Sequence, residues 1–187
     1  MKGKVEFDPE DLLEQILGVL RIQCPVLPEH TWRPLGHPLK QLLRQLGEEA
    51  KYQVWMAGTT GEYLWDVAWT YETDDAYWIE LASEIELSDM TRKWVLDDFY
   101  KVLDAKARLK LFVTATTMKM AKELQTDIEW AVAHQRFRLP GERLIALLVT
   151  YDGRANAYKA ATRVFDGSGP IGVWIKGWQD VPLGRGK

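Results

Sequence analysis

Residues 62–103 read EYLWDVAWTYETDDAYWIELASEIELSDMTRKWVLDDFYKVL, two runs of strand character followed by a helix. Asp66 lies inside the first run, and Glu80, Glu84 and Glu86 occupy even positions of the second. Successive strand side chains point to opposite faces, so the three glutamates are expected to share one face. Tyr77, Ile79, Leu81, Ser83, Ile85 and Leu87 then form the core side. Same-face neighbours stand roughly 6.6 Å apart, where two anions repel by roughly 2–3 kcal/mol at an effective dielectric of about 20. A sheet tolerates that repulsion if the face is wet or if a cation sits on it.

Outward from this stretch, hydrophobic spacing lays out the remaining elements. Asp8 is an N-cap with Pro9 at the first helical position, and Leu12, Leu13, Ile16, Leu17 and Leu20 continue at helical spacing. Residues 24–38 hold four prolines and read as a connector tacked to the surface by Trp32. A second helix begins near Pro38, with Leu39, Leu42, Leu43, Leu46 and Ala50 inward and Glu49 on its flank. Residues 52–57, 62–71 and 77–87 are expected to form an antiparallel meander, and Ser88 or Asp89 to cap the helix that follows. Residues 109–115 and 143–151 are apolar enough for central strands, 118–137 is helical, and 158–165 adds a strand. The result is an α/β fold, a mixed sheet with an antiparallel meander, strand–helix–strand crossovers and helices on both faces. We read one domain: an N-terminal helix and proline-rich connector over 1–37, a core over 38–165, and an extension over 166–187 whose form is not readable.

Composition bounds the function. The chain has 187 residues, 47% of them hydrophobic and 27% charged, ordinary values for a globular domain. Its longest apolar run, Leu144-Ile145-Ala146-Leu147-Leu148-Val149, is too short to span a bilayer, so no membrane partner is expected. The acidic, amphipathic start does not resemble a secretory signal, and the single cysteine, Cys24, suits a reducing compartment, so the expected location is the cytoplasm. From His134 onward the chain is basic and before it acidic. That asymmetry suits a protein that meets a polyanion through a metal, although charge alone is better served by a merely solvated surface. His30, His37 and His134 are scattered and lack the spacing of a zinc site. No nucleotide-cradling glycine loop occurs.

The order of elements, with Asp66 in Trp65-Asp66-Val67 and the triplet Glu84-Ile85-Glu86, resembles the PD-(D/E)xK restriction-endonuclease-like nucleases. The likeness covers about residues 38–150. That superfamily carries an Asp on its second core strand and an acidic-x-Lys triplet on its third. Here the motif's proline is absent and a second glutamate replaces the lysine. The segment from Asp97 to Leu103 resembles members that supply the lysine from the next helix, which would be Lys101, and Glu49 matches a glutamate that some members place in the first core helix. The resemblance implies Mg²⁺ or Mn²⁺ held by Asp66, Glu84, Glu86 and Glu49, and hydrolysis of DNA by Asp66, Glu84, Glu86 and Lys101.

Such chemistry requires an activated water and stabilised charge at phosphorus, which a hard divalent ion with oxygen ligands supplies. Asp66 and Glu84 would each give one oxygen and the Ile85 carbonyl a third, with Glu86 as second ligand or base. Lys101 has an alternative, an ion pair with Asp97 or Asp98, and Lys106 is a second basic candidate. Trp65 and Trp69 are expected on the face opposite Asp66, in the core, whereas Trp55, Trp78 and Trp94 lie nearer the acids. Trp174 and Lys176, with Trp178, are the candidate nucleic-acid or subunit contact. Cutting both DNA strands together would take a homodimer. The alternative function is a non-catalytic member of the same fold, binding protein or nucleic acid.

Overall fold

A computed structural model describes residues 7–27, 31–58, 64–73, 76–88, 91–135, 139–167 and 178–186. Helix α1 (Pro9–Gln23) is followed by two 3-10 turns (Cys24–Val26 and Arg33–Leu35), α2 (Gly36–Glu49), β1 (Gln53–Met56), β2 (Val67–Thr73) and β3 (Ala76–Glu86). Then come α3 (Arg92–Leu103), β4 (Ala107–Thr116), α4 (Met118–His134), β5 (Arg143–Asp152), β6 (Ala157–Asp166) and β7 (Gln179–Arg185). The seven strands form one mixed sheet whose spatial order equals their chain order. β1, β2 and β3 are an antiparallel meander, β3, β4 and β5 run parallel, and β5, β6 and β7 are antiparallel again. No helix of the described residues is long and apolar enough to cross a membrane.

The two parallel steps need crossovers, and α3 and α4 supply them. Successive crossovers of the same hand, stepping the same way across a sheet, leave their helices on one face. Val95, Phe99, Val102, Leu124 and Ile128 pack there against Phe112, Ala146 and Leu148. The opposite face is covered by α1 and α2, through Leu12, Ile16, Leu39 and Leu43 against Trp69, Leu111, Ile145 and Leu147. Both faces of the central strands are therefore dry, which explains their continuous apolar runs. Gly47 seats α2 on the sheet: a Cβ there would lie 2.6 Å from Trp69 Nε1 and from Val54 Cγ2. With that room, Trp69 Nε1 donates to Leu43 O at 2.9 Å.

Trp32 does hold the connector down, by burying itself in the α1–α2 core edge-on to the ring of Tyr158. The structure corrects several other sequence expectations. β2 begins at Val67, so strand parity does not reach Trp65, which turns to the α3 side and donates to Lys101 O at 3.3 Å. Glu80 is the extra residue of a bulge, since Trp69 pairs with Leu81 while Thr70 pairs with Ile79. The slip puts Ile79 on the α3 side and Leu81 on the α1 side, and removes Glu80 from the company of Glu84. The cap of α3 is Thr91, not Ser88; Asp89 lies outside the described residues. The extension contributes β7 at the sheet edge, where Pro182 needs no ladder donor.

Candidate functional site

Where β2 has yet to begin and β3 is about to end, the sheet opens into a cleft of about 570 Å³. Asp66 stands at its floor. Its N–H donates to Ser83 O at 3.0 Å and its carbonyl accepts from Ala57 N at 3.0 Å, so its backbone continues the ladder ahead of the strand. Its carboxylate reaches across to β3, where Ile85 N donates to Oδ2 at 2.9 Å. The other oxygen, Oδ1, accepts from Lys40 Nζ of α2 at 2.5 Å. Glu84 enters the cleft from β3, and α3 closes that side with Asp98 and Lys101. Lys101 Nζ lies 2.5 Å from Asp98 Oδ1 and 3.7 Å from Glu84 Oε1. The expected ion pair is thus made with Asp98, and the same lysine also borders Glu84; Asp97 pairs instead with Lys93.

Glu84 is buried, and burial, then the neighbouring charge of Asp66, pushes its carboxyl from the ordinary 4.5 up to about 8; Lys101 and Lys40 offset part of this. Near neutral pH Glu84 is thus largely a carboxylic acid. Lys101 moves further up, mainly through its hydrogen bond to Asp98, and stays an ammonium. The repulsion expected on this face is relieved in two ways: lysines from two helices, and a retained proton.

Glu86 lines the cleft, but its Oε1 accepts from Ser88 N at 2.7 Å and from the Ser88 hydroxyl. That carboxylate is turned back on its own chain. Glu49 is not brought to the site: it is exposed, accepts from Gln45 Nε2 at 2.8 Å, and stands nine residues beyond Lys40, roughly 13 Å along α2. None of Trp55, Trp78 and Trp94 lines the cleft; Trp55 bonds Thr70, Trp78 packs on Tyr71, and Trp94 is exposed beside Lys93. Trp174 and Lys176 lie outside the described residues, and Trp178 packs edge-on to Phe165. Lys106 also lies outside the cleft lining.

Among the described residues no three His, Cys, Asp or Glu side chains gather as a metal cage. The donors on hand are the Asp66 and Glu84 carboxylates, and the Ile85 carbonyl, which leaves its strand on the same side as the N–H bonded to Asp66. Two carboxylates with a carbonyl, completed by water, fit Mg²⁺, which seldom takes an all-protein cage. The Lys40 ammonium already marks Asp66 as a point that draws a cation.

Sequence reasoning missed Lys40, Arg33 and His37, all lining the cleft. The signal was available: Arg33, His37 and Lys40 recur at one-face helical spacing. Compared with known proteins, the chain matches no family model, no curated protein and no solved structure.

Proposed function

We propose that the cleft is the reaction centre of a metal-dependent, restriction-endonuclease-like protein that hydrolyses DNA phosphodiester bonds. The observation carrying this reading is the meeting of Asp66, just ahead of β2, and Glu84 of β3 in one open cleft, with the Ile85 peptide beside them. The succession α2, meander, α3, parallel β4 supports the same reading, as the order and directions expected of that core.

Asp66 and Glu84 would hold the divalent ion, which supplies Lewis acidity at phosphorus and an activated water. As a ligand Glu84 would have to give up its proton, so metal affinity would rise with pH. Lys101, fixed by Asp98 beside Glu84, places a positive charge where the phosphoryl oxygens gain negative charge. Lys40, released from Asp66, is free to turn to the same phosphate. Glu86 orients the Ser88 end of the cleft.

The test is plasmid nicking in Mg²⁺ or Mn²⁺. Nicking that EDTA abolishes, and that Glu84→Gln also abolishes, is the expected result; metal-independent nicking, or none, rejects the reading. One observation favours a non-catalytic nucleic-acid-binding module of the same architecture: Asp66 and Asp98 are already neutralised by lysines. That alternative expects binding without nicking.

A further inference from the structure

The α2 wall of the cleft carries positive charge that the acids do not absorb. The 3-10 turn holding Arg33 passes directly into α2, so Arg33, His37 and Lys40 share one side of a continuous helical run. All three line the cleft. Asp66 takes Lys40, whereas Arg33 and His37 are exposed and, among the described residues, have no ion-pair or hydrogen-bond partner. No acid occurs between Thr31 and Gly47. The field of this wall is reinforced by the start of α2, which has no acid in its first turn and no side-chain acceptor at its N-cap, Leu35.

We propose that Arg33 and His37 form a phosphate-binding subsite that grips the backbone of a nucleic-acid strand, away from the phosphate presented to Asp66 and Glu84. The proposal rests on reading the cleft as a phosphodiester-hydrolysing centre, and adds where the rest of the strand lies. Arg33 stands roughly 10–12 Å from Lys40 along the helical run. At about 3.4 Å per stacked nucleotide, that spans about three steps of a strand. Cations spread over that distance match a ligand with repeated charges better than a single small anion. The arginine fork matches phosphate oxygens in particular.

The experiment is fluorescence anisotropy with a fluorescein-labelled single-stranded oligothymidylate of about eight nucleotides, long enough to span that distance, in EDTA so that hydrolysis cannot intervene. Wild type is expected to bind with strong salt dependence. Arg33→Gln is expected to weaken binding several-fold and to reduce the slope of log affinity against log salt by about 0.7, the share of one phosphate contact on a single strand. His37→Gln weakens binding less, and a thymidine dinucleotide, too short to span from Arg33 to Lys40, binds wild type more weakly than the longer oligonucleotide does. Both positions are exposed, and an unchanged Tm confirms that the variants fold. The proposal is overturned if wild type does not bind, if Arg33→Gln changes neither affinity nor slope, or if polyglutamate displaces the oligonucleotide as well as unlabelled oligothymidylate does. Binding that depends on Arg33 in a protein that never nicks DNA keeps the subsite and removes the hydrolytic reading. Nicking with binding indifferent to Arg33→Gln does the reverse.

Discussion

Lys110 and Glu142 are a buried lysine and carboxylate 3.2 Å apart; in a second couple, 3.7 Å apart, Glu84 is buried but its lysine, Lys101, is exposed. Their surroundings differ. Lys110 Nζ, 1% exposed, also donates to Leu103 O at 2.6 Å, and Glu142 accepts from Leu139 N at 2.9 Å, so both ions are consumed in fastening the end of α3 to β4 and β5. Glu84 is just as buried, yet an open cleft of about 570 Å³ lies against it, its lysine is shared with Asp98, and its carboxyl holds a proton up to about pH 8. The closed couple is spent on contacts within the fold. The open one leaves a carboxyl facing the cleft.

The largest expected effect breaks the closed couple. Lys110→Met leaves Glu142 buried without its cation and is expected to cost about 3–5 kcal/mol in urea denaturation. Adding Glu142→Leu should recover most of it; a loss below about 1 kcal/mol would put the two couples in the same class.

Next in size is a pH effect. Because the folded state raises the Glu84 carboxyl from 4.5 to about 8, the folded protein binds more protons than the unfolded chain between those values. The stability this group contributes is therefore fully present below about pH 4.5 and is lost as pH rises toward 8. The slope from this group approaches about 1.4 kcal/mol per pH unit, and Glu84→Gln should flatten it. A smaller effect comes from Lys40→Gln, which frees Asp66 and should tighten Mn²⁺ binding a few-fold in calorimetry, the worth of about 1 kcal/mol for this partly buried pair. Weakened binding would show that Lys40 does not compete with the ion. Least of all, Glu49→Gln should leave Mn²⁺ affinity unchanged.

Strand parity carried the meander, both crossovers and the convergence of Asp66 with Glu84, because those residues sit in or beside regular ladders. Parity failed where the ladder is irregular: the bulge displaces Glu80, and the late start of β2 turns Trp65 to the other layer. Glu49 failed for another reason. A helical wheel gives direction around an axis but not position along it, so a correctly facing residue can lie two turns too far. Lys40 was hidden because a lysine on an amphipathic helix looks solvated, and Lys110 because one charge in an apolar strand says nothing of its partner. β7 escaped notice because an edge strand holding Pro182 and Gly184 has little strand character.

The most direct measurement is a Mn²⁺ titration by calorimetry of wild type, Asp66→Asn and Glu84→Gln at one pH, with Tm checked for each. Wild type should bind, and each substitution should weaken binding at least about tenfold, the loss of roughly 1.4 kcal/mol of coordination. Equal affinities in all three would contradict the account.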